Sequence, residues 1–348
     1  MLSKLIRATT RRRMVHFRGG GRVIHRSVGR GPRWLSSGVH DIHSNWQESD
    51  FKIPERTVHD VLSPTLVISL PNVRHNIAEM INLCSGNVDR WRPHVKTTKM
   101  PLVWRLMMES GVRNFKCATI REARILAEVA EDEGLLADVD ILVAFPLHGA
   151  NLRALGDLAT KLSSCKFSCL IEDSSDVGSV PSNVGYFLDI NPGMDRTGRP
   201  LSELASKVDD LAHIVSEHGS SRFLGLHFYD GHSGTTHCGN ERQDFLFPLY
   251  DELLDFVKQL QESGVTIPEI ITSGTPSCTT ALKYEGFKEA AFVHRVSPGT
   301  TVFHDYKTHE ENDDLASILR PAAAVLARVV SHPSPGSLHV IAGSAGSF

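Results

Sequence analysis

The 348-residue chain carries 37 Lys and Arg against 40 Asp and Glu, a formal net charge of -3, and 41% hydrophobic residues. Such a chain can hold one large domain or one plus a fraction, and its charge balance excludes a general pull toward nucleic acid or an anionic membrane. The six cysteines (Cys84, Cys117, Cys165, Cys169, Cys238 and Cys278) show no zinc-ribbon or redox spacing, so reduced thiols in a non-secretory compartment are the simplest account. No run approaches the roughly 18 apolar residues of a membrane helix.

The first forty residues are a different material from the rest. They hold Lys4, Arg7, Arg11, Arg12, Arg13, Arg18, Arg22, Arg26, Arg30 and Arg33, with no acid before Asp41. Arg-rich, acid-free starts read as organelle transit peptides, which makes mitochondrial import one expectation and a cytoplasmic protein with a basic tail the other. Residues 1–55 are expected to be disordered targeting or linker sequence in either case.

From Ser63 a strand and helix rhythm sets in. Leu66-Val67-Ile68 reads as a short strand, and Val73, Ile77, Met80 and Cys84 fall at helical spacing on one apolar stripe. Next comes Arg92-Pro93-His94-Val95-Lys96-Thr97-Thr98-Lys99. If residues 91–96 form a strand, alternation puts Arg92, His94 and Lys96 on one side. An inward Lys costs several kcal/mol unless an anion or a covalent partner accepts it. Burial among cations also lowers a lysine pKa, as a Schiff-base nucleophile requires. The alternative is a solvated edge strand with scattered charges.

A helix over Val103–Met108, a strand at 115–118 and a capping box from Thr119 to Glu122 follow, starting a helix through Val129. Further strands are expected at 141–145, 167–171, 185–190, 223–228, 269–272 and 295–303, with helices at about 151–162, 202–218 and 248–261. Counting from the lysine stretch there are eight strands, most followed by helices, the outline of a (β/α)8 barrel over residues 60–304. A doubly wound sheet fits less well, since no Gly-x-Gly-x-x-Gly follows the first strand. Residues 305–348, with an apolar segment at 320–330 and a strand at 339–341, are expected to be the start of an incomplete C-terminal β domain.

Arg92-Pro93-His94-Val95-Lys96 with Lys99 resembles the pyridoxal-phosphate lysine motif of the D-threonine aldolase and D-serine dehydratase family, which shares the alanine-racemase-type barrel. The resemblance extends in order through Ser63–Val67, Lys116–Thr119, Asp140–Ala144, Asp195–Gly198, Tyr229–His232, Gly274–Ser277 and Ser297–Thr300. It implies that Lys96 holds pyridoxal 5'-phosphate and that Arg196 lies near the cofactor's phenolic oxygen. Ser273-Gly274-Thr275-Pro276-Ser277, after a strand, has the makings of a phosphate nest, with Gly274, Thr275 and Ser277 as its members and Pro276 as the first helical residue. An ordinary Gly-Pro turn is the other reading of that stretch. Tyr229 or His227 can pack on the cofactor ring, His232 can reach substrate, and His94 is a supporting neighbour of Lys96. Asp189 can balance the basic strand.

The resemblance further implies a lyase acting on D-β-hydroxy amino acids, with aldolase-like cleavage to glycine and an aldehyde favoured over dehydration to a 2-oxo acid. A barrel that carries the cofactor without turnover is the alternative from another class. The family uses a divalent metal (Mn, Mg or Zn), held by a His-x-Cys or His-x-Asp pair in the second domain, and neither pair occurs here, so no residue is assigned to metal. Where the family has an Asp-x-Gly-x-Lys-like run this chain reads Ile341-Ala342-Gly343-Ser344-Ala345, which makes a frameshift or mis-joined exon one expectation. A homodimer is expected if that second domain is complete.

Overall fold

The structure is a computed structural model that describes residues 48–218, 220–236, 239–288, 290–331, 333–334 and 339–341. The basic N-terminal stretch, Cys238 and the Ala342–Ala345 departures lie outside the described residues. Among the described residues no helix is long and apolar enough to cross a membrane.

Two compact units emerge among the described residues, one of residues 70–322 and one that joins the described parts of the segments on either side of it. In the smaller unit the strand Thr65–Ile68 pairs antiparallel with Ala323–Leu326, and Arg328–Ser331 pairs with His339–Ile341. The Leu66–Ile68 strand predicted from sequence therefore exists but stands outside the barrel, and the apolar stretch at 320–330 resolves into two strands.

The larger unit is a parallel barrel. Its strands run Asn114–Cys117, Asp140–Pro146, Lys166–Ile171, Gly185–Asn191, Phe223–Phe228, Glu269–Thr272 and Val293–Val296, each paired with the next. The lysine segment closes the ring: Trp91 bridges Val296, and His94 bridges Lys116 on the other side. Hydrogen bonds from Arg92 N to Val296 O (3.0 Å) and from Val95 N to Lys116 O (2.8 Å) complete the seam. This eighth piece makes only isolated bridges because Pro93 has no N–H to offer the ladder, although its carbonyl accepts from Lys116 N at 2.9 Å.

Parallel strands covered on both faces need continuous apolar runs. Leu142, Ala144, Leu170, Phe187 and Ile271 pack together at the barrel centre. The outward set, including Ile141, Val143, Leu188, Leu226 and Ile270, is equally buried. The helix Leu70–Leu83 buries Val73, Ile77 and Met80 completely, about 2 kcal/mol for each side chain.

Three elements depart from expectation. The helix predicted over 202–218 breaks into Leu201–Ala205 and Val208–Glu217. At the break the Ser206 hydroxyl donates back to Glu203 O (2.6 Å) while Lys207 pairs with Asp173 (2.8 Å). The strand predicted over 295–303 ends at Val296, because Pro298 and Gly299 turn the chain into a short helical turn, Thr300–Val302. The third helix is longer than expected, Gly239–Glu262, with Pro248 inside it.

Candidate active site

The floor of the barrel is charged and self-satisfied. Arg92, fully buried, sends Nε and Nη2 to the two oxygens of Glu269 at 2.8 Å each, and Nη1 to Asp140 Oδ1 at 2.8 Å. Its remaining hydrogens reach Phe115 O (3.3 Å) and Asn114 Oδ1 (3.4 Å), so all of the guanidinium's donors find acceptors. Burial alone would lower its pKa, but the Asp140 and Glu269 carboxylates outweigh that and hold it above the ordinary value. The anion that sequence reasoning demanded beside this segment is thus, for Arg92, the chain's own.

Lys96 lies one step past the closing segment, in the turn that follows Val95 rather than in a strand. Alternation holds for Arg92 and His94, both buried, and gives way to the turn at Lys96. His94 accepts the Lys96 amide at Nδ1 (3.3 Å). Burial, then the nearby Lys116 and Lys96, push the His94 pKa well below the ordinary imidazole value, so the ring stays neutral. The Lys96 amine is lowered by burial first and by Arg196 second, with Glu122 opposing.

The loop after Lys96 is held by an acid at a helix start. Thr119 caps the helix Ile120–Asp132 by accepting from Glu122 N at 3.1 Å, but the return arm of the expected capping box goes one residue earlier, to Ala118 N (2.7 Å). The other Glu122 oxygen takes Lys99 Nζ at 2.7 Å. Lys99 stands at φ +46°, Asp195 at +55° and Ser273 at +61°. Each of these left-handed non-glycine residues sits in a loop at the carboxyl end of the barrel, where strain of order 1–3 kcal/mol is typical of functional sites.

Every residue of Ser297-Pro298-Gly299-Thr300 touches the lysine segment. Ser297 Oγ donates to Arg92 O (2.9 Å), Pro298 O accepts from Trp91 Nε1 (3.0 Å), and the Thr300 and Thr97 hydroxyls meet at 3.3 Å. A Cβ on Gly299 would lie 2.0 Å from His94 O, so only glycine permits this approach. Thr300 N also donates to Thr275 Oγ1 at 3.2 Å, tying the glycine loop to the same place.

In that glycine loop the Ser277 hydroxyl is already committed. It accepts from Gly274 N (3.2 Å) and donates to Asp230 Oδ1 (2.5 Å), whose other oxygen accepts from Tyr250 (2.6 Å). Pro276 precedes the N-cap, Ser277, of the helix Cys278–Lys283 instead of opening it. That is a correction: Arg242 and Asn312 both donate to Pro276 O and hold it outside the helix. Thr275 and the buried, unpartnered hydroxyl of Ser273 are the loop's remaining side-chain oxygens.

Arg196 stacks over the Tyr229 ring, 4.3 Å from its centroid, and Tyr229 in turn lies against Gly274, whose Cβ would be 3.0 Å from the ring. Lys96, His94, Arg196, Tyr229, Gly274 and Thr275 thus belong to one neighbourhood at the barrel mouth. His232 lies edge-on to Phe245 (5.4 Å) and close to Gly193. Sequence reasoning gave no role to Lys116, which is 2% exposed with Nζ 3.2 Å from His227 Nε2. His227 Nδ1 is 2.6 Å from Asp189 Oδ1. The signal was available, since Lys116 sits at an inward register of an apolar strand, where a buried lysine needs an explanation. Among the described residues no group of three or more His, Cys, Asp or Glu converges as a metal site.

The donor set fits a phosphorylated aldehyde. Lys96, Lys116 and Arg196 stand against Asp189, whose second oxygen is buried without a partner. The site therefore has positive charge for an anion and, in Lys96, an amine whose pKa is lowered from the ordinary lysine value.

Among curated protein sequences none matches this chain. Of solved structures, the barrel is similar to D-threonine aldolase from Filomicrobium marinum, at 21% identity and TM-score 0.67, covering 80% of this chain and 72% of that one. It is similar to D-threo-3-hydroxyaspartate dehydratase from Delftia sp. HT23 at 20% identity and TM-score 0.60, covering 78% and 69%. Lysine/ornithine decarboxylase from Vibrio vulnificus shares the fold at 16% identity and TM-score 0.57, covering 80% and 70%. Residues 68–307 match the family described as alanine racemase, N-terminal domain. With more than half of the chain matched, this protein belongs to the alanine racemase N-terminal domain family, the fold-type III barrel of pyridoxal-phosphate enzymes.

Proposed function

We propose that the chain is a pyridoxal-phosphate-dependent lyase acting on D-β-hydroxy amino acids, by aldolase-like cleavage to glycine and an aldehyde. The observation that carries this reading is the position of Lys96, an amine at the carboxyl end of the barrel-closing segment, beside Arg196 and within a mouth of surplus positive charge. The likeness in fold to D-threonine aldolase supports the substrate class.

Lys96 would hold the cofactor. Thr275, Ser273 and Thr300 would hold its phosphate, and Tyr229 would offer it a ring face. Bound there, pyridoxal phosphate supplies an electron sink for the bond broken at the substrate's Cα. The chain's own residues do the rest. Burial first and Arg196 second lower the Lys96 pKa below the ordinary lysine value, the direction a nucleophilic amine needs. Neutral His94 holds the Lys96 backbone amide and orients the turn. Arg196, fixed on Tyr229, favours negative charge on a phenolic oxygen. The inward walls exclude water from below, since the Arg92 floor seals that end.

A dehydratase is the second reading, supported by the likeness in fold to D-threo-3-hydroxyaspartate dehydratase. One experiment separates them. The full chain, given pyridoxal phosphate and Mn2+, Mg2+ or Zn2+ in turn, is offered D-threonine. Glycine with acetaldehyde is expected. Formation of 2-oxobutanoate with ammonia would establish the dehydratase, and neither product with any metal would overturn the lyase reading.

A further inference from the structure

Lys116 is unused in the reading above, yet it lies within the same chamber. Asp189 lies 2.6 Å from His227 Nδ1, and a carboxylate only accepts, so Nδ1 carries the imidazole proton and Nε2 keeps its lone pair. Lys116 Nζ, 3.2 Å from that lone pair, is then the donor. The same ammonium stands 5.4 Å from the centroid of the Tyr229 ring, on which Arg196 also rests. The backbone bridge between His94 and Lys116 sets this amine directly beside the segment that ends in Lys96.

Resting on the reading of Lys96 as the cofactor amine, we propose that Lys116, oriented by His227 and Asp189, is a second acid–base amine that exchanges one proton with the bound amino-acid ligand. The groups around it bias it toward that task. Burial lowers its pKa most, Lys96, Arg196 and Arg92 lower it further, Asp189 opposes them, and the amine settles at about 7. His94, Tyr229 and His227 complete its surroundings, and both histidines are held neutral, chiefly by burial. Near neutral pH both forms of the amine are then populated, which is the condition for efficient general acid–base work. In the proton-poor form the Lys116 lone pair takes one proton from the ligand, and the electron pair of the broken bond stays on the ligand. In the reverse step the ammonium returns a proton, and nothing is oxidised or reduced.

The test begins with NMR titration of the full chain labelled with 13C and 15N at Lys and His, without added ligand. A lysine resonance that is lost in Lys116→Arg should titrate near pH 7, far from the ordinary lysine value of about 10.4. Its midpoint should rise in Lys96→Ala and fall in Asp189→Asn, because those substitutions remove a repelling and an attracting charge. The His227 nitrogens should report a protonated Nδ1 and an acceptor Nε2. A lysine filling space would titrate near its ordinary value and ignore both substitutions, and that result, or a protonated Nε2, overturns the proposal.

In the loaded protein, Lys116→Met should remove the limb near pH 7 from the kcat profile while Lys96 still takes a borohydride-fixed cofactor label. Should Lys116→Met not fold, the wild-type titration decides alone. Loss of the Lys96 label in the wild type would sink the cofactor reading, whereas a retained label with an ordinary Lys116 titration would sink only this proposal.

Discussion

The floor of the barrel buries its cations, whereas at the mouth only Lys116 is buried and Lys96 and Arg196 are exposed, and the two ends balance their charge differently. At the floor Arg92 and Arg295 face Glu269 and Asp140, charge for charge, with the Arg92 donors all used. At the mouth Lys116, beside Lys96 and Arg196, has Asp189 as its carboxylate, while Glu122, which acts on Lys96, is hydrogen-bonded to Lys99. A buried charge compensated in place is a structural device, because removing a partner is costly and nothing remains to bind a ligand. A surplus of one sign is a binding device, since the missing counter-charge has to arrive with the ligand. The RPHxK stretch serves both ends, with Arg92 at the floor and Lys96 at the mouth.

The comparison can be broken by substitution at either end. Arg92→Met should destabilise the chain most, by about 3–5 kcal/mol, because it takes from Asp140 its buried cation and leaves the buried Glu269 with Arg295 alone. Denaturant unfolding measures this, and a cost under about 1 kcal/mol would contradict the structural role of the floor. Gly299→Ala, between the two ends, must displace His94 O and should cost roughly 2–3 kcal/mol, with weakened cofactor binding as the lysine turn shifts. Unfolding and equilibrium dialysis follow the two losses separately.

Arg196→Met should do the reverse of the floor substitution. It should leave unfolding nearly unchanged and weaken pyridoxal phosphate binding roughly 10- to 100-fold, the usual value of a charge-assisted contact. Equal losses in stability and binding would erase the distinction between the ends. The smallest effect is that of pH. His94, His227 and His294 are all lowered, burial being the main cause, and His294 reaches about 3. A base whose folded pKa is depressed gives stability that is complete above the unfolded value, 6.5, and is lost as pH falls toward the folded one. Unfolding free energy should therefore drop by about 1–2 kcal/mol between about pH 7 and pH 6. A rise over that interval would mean that these rings are charged in the folded chain.

Much of the barrel was legible in the chain, because parallel strands with both faces covered write continuous apolar runs such as Ile141–Ala144. The lysine stretch was legible through cost, since inward cations need an explanation. The loops were not. Ser277 and Pro276 carry the composition of an anion nest, but Asp230, Tyr250 and Arg242 decide what those residues touch, and their nearness is tertiary. The pairing of Asp189 with His227 is likewise a contact between strands that alternation alone does not register. The break at Ser206 and Lys207 follows from Asp173, distant in sequence.

The most direct test is chemical. The full chain is incubated with pyridoxal 5'-phosphate, reduced with borohydride, digested, and each lysine peptide is weighed. A pyridoxyl mass on the peptide containing Lys96, absent in Lys96→Ala, is the predicted result. The same mass on Lys116 or Lys99 with Lys96 unmodified would contradict the assignment of the mouth.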